Sequence, residues 1–120
     1  MIQQTMFVLA VPSLDISSSY YRDVLGFQIR EIGDPGWRMY IRDKCRIMAG
    51  ECPDSMNPAD LGDHSYFGYF IVEDAQSYYT EVTQNGAEIL KPIRDEPWGM
   101  REFAIRTVDG HRIMVGQDLE

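Results

Sequence analysis

Asp43-Lys44-Cys45-Arg46-Ile47-Met48-Ala49-Gly50 and Asp109-Gly110-His111-Arg112-Ile113-Met114-Val115-Gly116 agree at five of eight positions, 66 residues apart. Upstream, Ile41-Arg42 matches Ile105-Arg106 at an offset of 64. Earlier still, Tyr20-Tyr21, Val24, Gly26 and Ile29 match Tyr78-Tyr79, Val82, Gly86 and Ile89 at offsets of 58 to 60. Three matches in the same order, with offsets that drift as loops lengthen, indicate an internal duplication.

Each half reads as strand, helix and three strands. Met6 to Val11 is short, apolar and β-rich. Ser13 or Asp15 can cap a helix whose buried face is Ile16, Tyr20 and Val24, with Gly26 as its left-handed stop. Phe27 to Ile32 is a strand, Gly33-Asp34-Pro35-Gly36 a turn, and Trp37 to Arg42 with Cys45 to Gly50 a hairpin. The second half repeats this. Tyr66 to Val72 is a strand, Asp74 to Asn85 a helix burying Ala75, Tyr79 and Val82, and Ala87 to Ile93 a strand. Arg101 to Thr107 and His111 to Gln117 close it as a hairpin. The Pro-, Asp- and Gly-rich stretch from Glu51 to His64 joins the halves as a loop. A four-stranded sheet with one helix buries only one face. The expected fold class is therefore α+β: two tandem βαβββ modules, about 5–50 and 65–117, forming curved, mostly antiparallel half-sheets around a cleft. At 120 residues the whole is expected to be one domain.

The formal charge is −8, from 19 acidic and 11 basic residues, and no basic stripe is visible. That argues against nucleic acid and anionic membranes as partners. No apolar run reaches the ~20 residues of a membrane helix. Met1-Ile2-Gln3-Gln4-Thr5 has no signal-peptide character, and Cys45 and Cys52 lack metal or scaffold spacing. These features give the expectation of a cytoplasmic protein with reduced thiols. His64 and His111 read as surface residues, and no spacing supports a nucleophilic triad or a phosphate loop.

Several stretches carry a family resemblance. Val8-Leu9-Ala10-Val11, Ser18 to Phe27, Ile47 to Glu51, Asn85 to Ile89 and Asp109 to Ile113 resemble the glyoxalase/bleomycin-resistance/dioxygenase (vicinal oxygen chelate) superfamily. Pro97-Trp98-Gly99-Met100-Arg101-Glu102-Phe103 is most similar to its bleomycin-resistance branch. The resemblance implies metal-ligand positions at Met6, Met48, Phe67 and Met114. None of the four is a donor for a hard or borderline divalent cation. Three thioethers are soft enough to suggest copper(I), but flexible apolar side chains lining a pocket are the preferred reading.

The candidate ligand-binding residues are then Met6, Met48, Phe67 and Met114 on the cleft floor, with Tyr69 on the face of Phe67. Trp37 and Trp98 stand near the rim before equivalent hairpins, and Glu102 is a polar anchor. No catalytic residue, cofactor or metal is expected. The function expected is a metal-free small-molecule-binding protein, a homodimer that sequesters a cationic aromatic compound. Two alternatives stay open: a superfamily enzyme of lyase, isomerase or dioxygenase type with a non-standard site, and a ligand-free structural or regulatory dimer. Elemental analysis of the purified protein is expected to find no stoichiometric Zn, Ni, Fe or Mn. One such metal per chain at those four positions would overturn the alignment.

Overall fold

The computed structural model describes residues 1–120. The chain divides into two compact units, Met1–Met56 and Asn57–Glu120. In the first, β1 (Phe7–Val11) leads through α1 (Leu14–Asp23) to β2 (Gln28–Glu31), β3 (Trp37–Arg42) and β4 (Cys45–Glu51). A 3-10 turn at Pro58–Leu61 opens the second unit. It continues with β5 (Tyr66–Ile71), α2 (Ala75–Gln84), β6 (Glu88–Asp95), β7 (Met100–Arg106) and β8 (Arg112–Asp118). The sheet orders are β1-β4-β3-β2 and β5-β8-β7-β6, so both units are βαβββ modules with a mixed, mostly antiparallel sheet. The parallel pairs are β1 with β4 and β5 with β8; the other neighbours are antiparallel. No helix is long and apolar enough to cross a membrane.

The helix caps follow the sequence. Ser13 Oγ accepts from the Ile16 amide at 3.3 Å, and Asp74 Oδ1 accepts from the Ser77 amide at 3.0 Å. Each satisfies a helix N–H that has no carbonyl partner. Gly26 and Gly86 leave the two helices at φ 79° and 94°, where a Cβ would be strained.

The buried face of α1 differs from the expected Ile16-Tyr20-Val24 stripe. Leu14, Ser17, Ser18 and Tyr21 are buried, and Ile16 is 60% exposed. Two serines hide this face from a hydropathy reading. Their small side chains let the helix approach β3, and their hydroxyls are bonded there. Tyr40 donates to Ser17 Oγ at 2.8 Å, and Arg38 Nη1 donates to Ser18 Oγ at 2.9 Å. Arg38 also reaches the Leu14 carbonyl at 3.2 Å, and Arg42 the Leu25 carbonyl at 2.7 Å. The Tyr21 ring packs edge-on to Phe27 and tilted on Tyr40, with centroids 5.5 and 4.5 Å away. In the second unit α2 buries Ala75 and Val82, as its periodicity predicts, and Tyr79 meets the Phe103 ring at 5.1 Å.

The duplicated hairpins keep their pairing better than their letters. Tyr40 stands opposite Ile47, and Ile105 opposite Ile113. Since Ile47 and Ile113 are repeat partners, Tyr40 corresponds to Ile105, one position from the Ile41–Ile105 match. The difference arises at the turns. Arg42 pairs directly with Cys45 across Asp43-Lys44, whereas Arg106 pairs with Arg112 across the longer Thr107–His111 turn. By the same register Trp37, opposite Gly50, corresponds to Glu102, opposite Gly116.

Candidate functional site

In the second unit, Phe103 and Ile105 of β7 and Ile113 and Val115 of β8 form the buried layer next to α2. Strand alternation turns Glu102, Ala104, Arg106, Arg112, Met114 and Gly116 to the other face. This face carries a hydrogen-bonded cluster. Glu102, only 4% exposed, accepts from the Tyr69 hydroxyl at 2.5 Å, Lys91 Nζ at 2.8 Å and the Trp98 indole N–H at 3.1 Å. Lys91 also pairs with the buried Glu96 at 3.2 Å, and Arg94 Nε caps that second carboxylate.

Tyr69 reaches Glu102 by crossing β8 where Gly116 has no side chain. A Cβ at Gly116 would overlap the Tyr69 hydroxyl. Trp98 sits in the turn before β7, closed by the Gly99 amide on the Glu96 carbonyl at 3.1 Å. Gly99 there has φ 85°. The indole is 61% exposed although its N–H is fixed, and Lys91 Nζ lies 5.6 Å from the ring centroid. The site thus presents an oriented aromatic ring held at its edge by a buried carboxylate.

Protonation follows from these contacts. Burial alone would raise the Glu102 pKa, but donation from Lys91, Tyr69 and Trp98 outweighs it and holds the carboxyl below its ordinary range. Burial would likewise lower the Lys91 pKa, and its bonds to Glu102 and Glu96 raise it instead. The Tyr69 phenol is pushed above its ordinary range by burial and by donating to a carboxylate. At neutral pH the cluster is an anion pair neutralised by Lys91 and Arg94, with a phenol that resists ionisation. It suits a fixed binding surface better than proton transfer.

Of the residues singled out from sequence, Tyr69, Trp98 and Glu102 come together. Met114 joins their face, paired with Tyr69 on one side and Ala104 on the other. Phe67 lies at the bulge where the register shifts between Tyr66 and Gly68, and its ring packs edge-on to Phe70 and His111 at 6.2 and 5.7 Å. In the first unit, Met48 is flanked by Val8 and Met39, and Met6 precedes β1 at 44% exposure. Trp37 opens β3 with its ring against Gly50, beside an open groove of about 320 Å³ that also includes Glu31, Pro35 and Arg38. Trp37 is thus a strand residue and Trp98 a turn residue, and the two are not register equivalents.

His111 corrects the surface reading: it is 9% exposed, and burial lowers its pKa. Burial pushes the Cys45 thiol up to about 11, which leaves it largely protonated at neutral pH. No group of three His, Cys, Asp or Glu side chains is placed to hold a metal ion. The donor chemistry at Met6, Met48, Phe67 and Met114 does not fit a divalent cation. Lys91, Arg94 and Glu96 were missed because their role depends on pairing across an irregular strand. The only sequence signal was a lysine within an otherwise apolar run, Ile89-Leu90-Lys91-Pro92-Ile93.

Residues 2–115 match the model of the Glyoxalase/Bleomycin resistance protein/Dioxygenase superfamily. No curated protein matches the chain in sequence. Among solved structures it is similar to UcmS2, with TM-score 0.79 and 18% identity over 97% of this chain and 98% of that one. TioX from Micromonospora sp. ML1 aligns with TM-score 0.73 and 22% identity over 96% and 95% of the two chains. A glyoxalase-related enzyme from Clostridium phytofermentans aligns with TM-score 0.80 and 15% identity over 98% and 96%. At these identities the likeness is one of fold.

The ion cluster should be visible in stability. Glu102→Ala leaves the Tyr69 hydroxyl and the Trp98 indole N–H without their acceptor and Lys91 with Glu96 alone, and the expected cost is roughly 2–4 kcal/mol, discounted because Lys91 is partly exposed. The folded-state pKa of Glu102 is depressed, so its contribution is present above the unfolded carboxyl value. It is lost as pH falls through the folded value. Urea titrations across the acid range should therefore show an acid-labile increment in the wild type that Glu102→Gln lacks. Equal pH slopes for the two proteins would remove Glu102 from this role.

Proposed function

We propose a function from one premise: the chain belongs to the Glyoxalase/Bleomycin resistance protein/Dioxygenase superfamily, and its second module carries a fixed, exposed indole, while the positions where metal enzymes of such a fold would need donors are Met6, Met48, Phe67 and Met114. The function is metal-free binding of a planar small molecule, which is held and released unchanged. The observation that carries this reading is Trp98. Its edge is tied to Glu102 at 3.1 Å and its ring remains 61% exposed. An aromatic ring held in place by a buried hydrogen bond loses little rotamer freedom when a ligand stacks on it.

The ligand is selected by its plane more than by positive charge. Glu102 and Glu96 are already matched by Lys91 and Arg94, and Lys91 already lies near the indole. The −8 charge of the chain can still favour capture of a cation at low salt. Titration with an acridine dye is expected to quench tryptophan fluorescence saturably. Trp98→Ala should weaken binding by about tenfold, the equivalent of about 1.4 kcal/mol of stacking, while Trp37→Phe should leave it in place. Mass spectrometry should recover the dye unaltered. Equal affinity of the Trp98→Ala protein, or conversion of the dye, would refute the binding reading.

Pairing of two copies belongs to the same proposal. Each sheet ends in edge strands, β1 and β2 in one and β5 and β6 in the other, and Val8 and Ile71 are 59% and 73% exposed. Edges and apolar side chains of this kind are what association covers. Light scattering at micromolar concentration should give the dimer mass; a monomer throughout would count against it.

A further inference from the structure

Along β7, Arg106 follows Glu102 by four residues, about 13 Å at the usual strand rise, and it stands directly opposite Arg112 on the same face. Like charges in directly opposed positions repel. Arg106 Nη1 is paired with Glu88 Oε2 at 3.6 Å, whereas Arg112 Nη2 faces Asp63 Oδ1 at 3.6 Å. Asp63 is 93% exposed and Arg112 only 9%. A solvated carboxylate at that range compensates a buried guanidinium poorly. Arg112 Nε is itself buried and donates to nothing. Nε–H and the adjacent Nη2–H together form the edge of a guanidinium that takes an oxyanion in two parallel hydrogen bonds. Asp63 stands off that edge without closing on it.

We propose that the Nε–Nη2 edge of Arg112 is a binding site for one oxyanion, a carboxylate or phosphate group of a small-molecule ligand, and that Asp63 is the group the ligand displaces. Arg106 adds a second positive charge to the site, and Asp63 acts as a weak internal competitor. The site is separate from the Trp98 surface and does not depend on stacking there.

Inorganic phosphate and acetate, each followed by the Arg112 Nε–H resonance and by calorimetry, test this directly. At least one should give a saturable shift, and the stronger of the two identifies the preferred group. Asp63→Asn, at an exposed position, should tighten binding by about threefold by removing the competitor. Arg112→Lys keeps the charge but loses the fork, and should weaken binding by about tenfold. Trp98→Ala should bind either anion as the wild type does, which separates failure here from failure of the stacking proposal. If neither anion shifts the resonance, or if Asp63→Asn leaves affinity unchanged or lower, Arg112 is only Asp63's structural partner and the proposal falls.

Discussion

A carboxylate buried on a strand face must collect hydrogen bonds from whatever its neighbours can supply, and Glu102 organises the second module around that requirement. Lys91 arrives from β6, Tyr69 from β5 and Trp98 from the intervening turn. Three otherwise independent segments are thereby fixed against one another. The absence of a side chain at Gly116 belongs to the same arrangement, because Tyr69 passes where a Cβ would stand. The exposed indole is oriented by this buried centre, so a surface property rests on interior electrostatics.

The two modules solve one folding problem with different chemistry. Each covers one face of a four-stranded sheet with a single ten-residue helix. The first adds hydroxyl and guanidinium contacts between α1 and β3 to the packing of Tyr21 on Tyr40, while the second packs Tyr78 and Tyr79 on Phe103. Polar groups that are fully bonded are compatible with burial, and those on Ser17 and Tyr40 are supplied locally.

The order of elements was legible because the duplication repeats hydrophobic strands, caps and turns at corresponding points. Ser13, Asp74, Gly26 and Gly86 mark helix ends through local chemistry that a sequence displays directly. What escaped depends on tertiary partners. Ser17 and Ser18 look solvent-facing until Tyr40 and Arg38 are placed opposite them. Phe67 departs from simple alternation because a bulge intervenes, and His111 is buried by a turn that brings Phe67 against it. Within the site, Tyr69, Trp98 and Glu102 could be named one by one, but Lys91 could not. Only the β6–β7 pairing brings it within reach of the same carboxylate.

The unequal hairpin turns have a consequence for recombining the two halves. A chimera that exchanged β3–β4 for β7–β8 at the matching letters Ile41 and Ile105 would join strands one position out of phase. Every side chain beyond the junction would then change sides of the sheet, turning helix-facing residues to the opposite surface. A junction set by ladder partners, Tyr40 with Ile105, preserves the inside and outside of both strands. Modular exchange in this architecture is thus governed by the parity of the cut, and identity at the seam is a misleading guide to it.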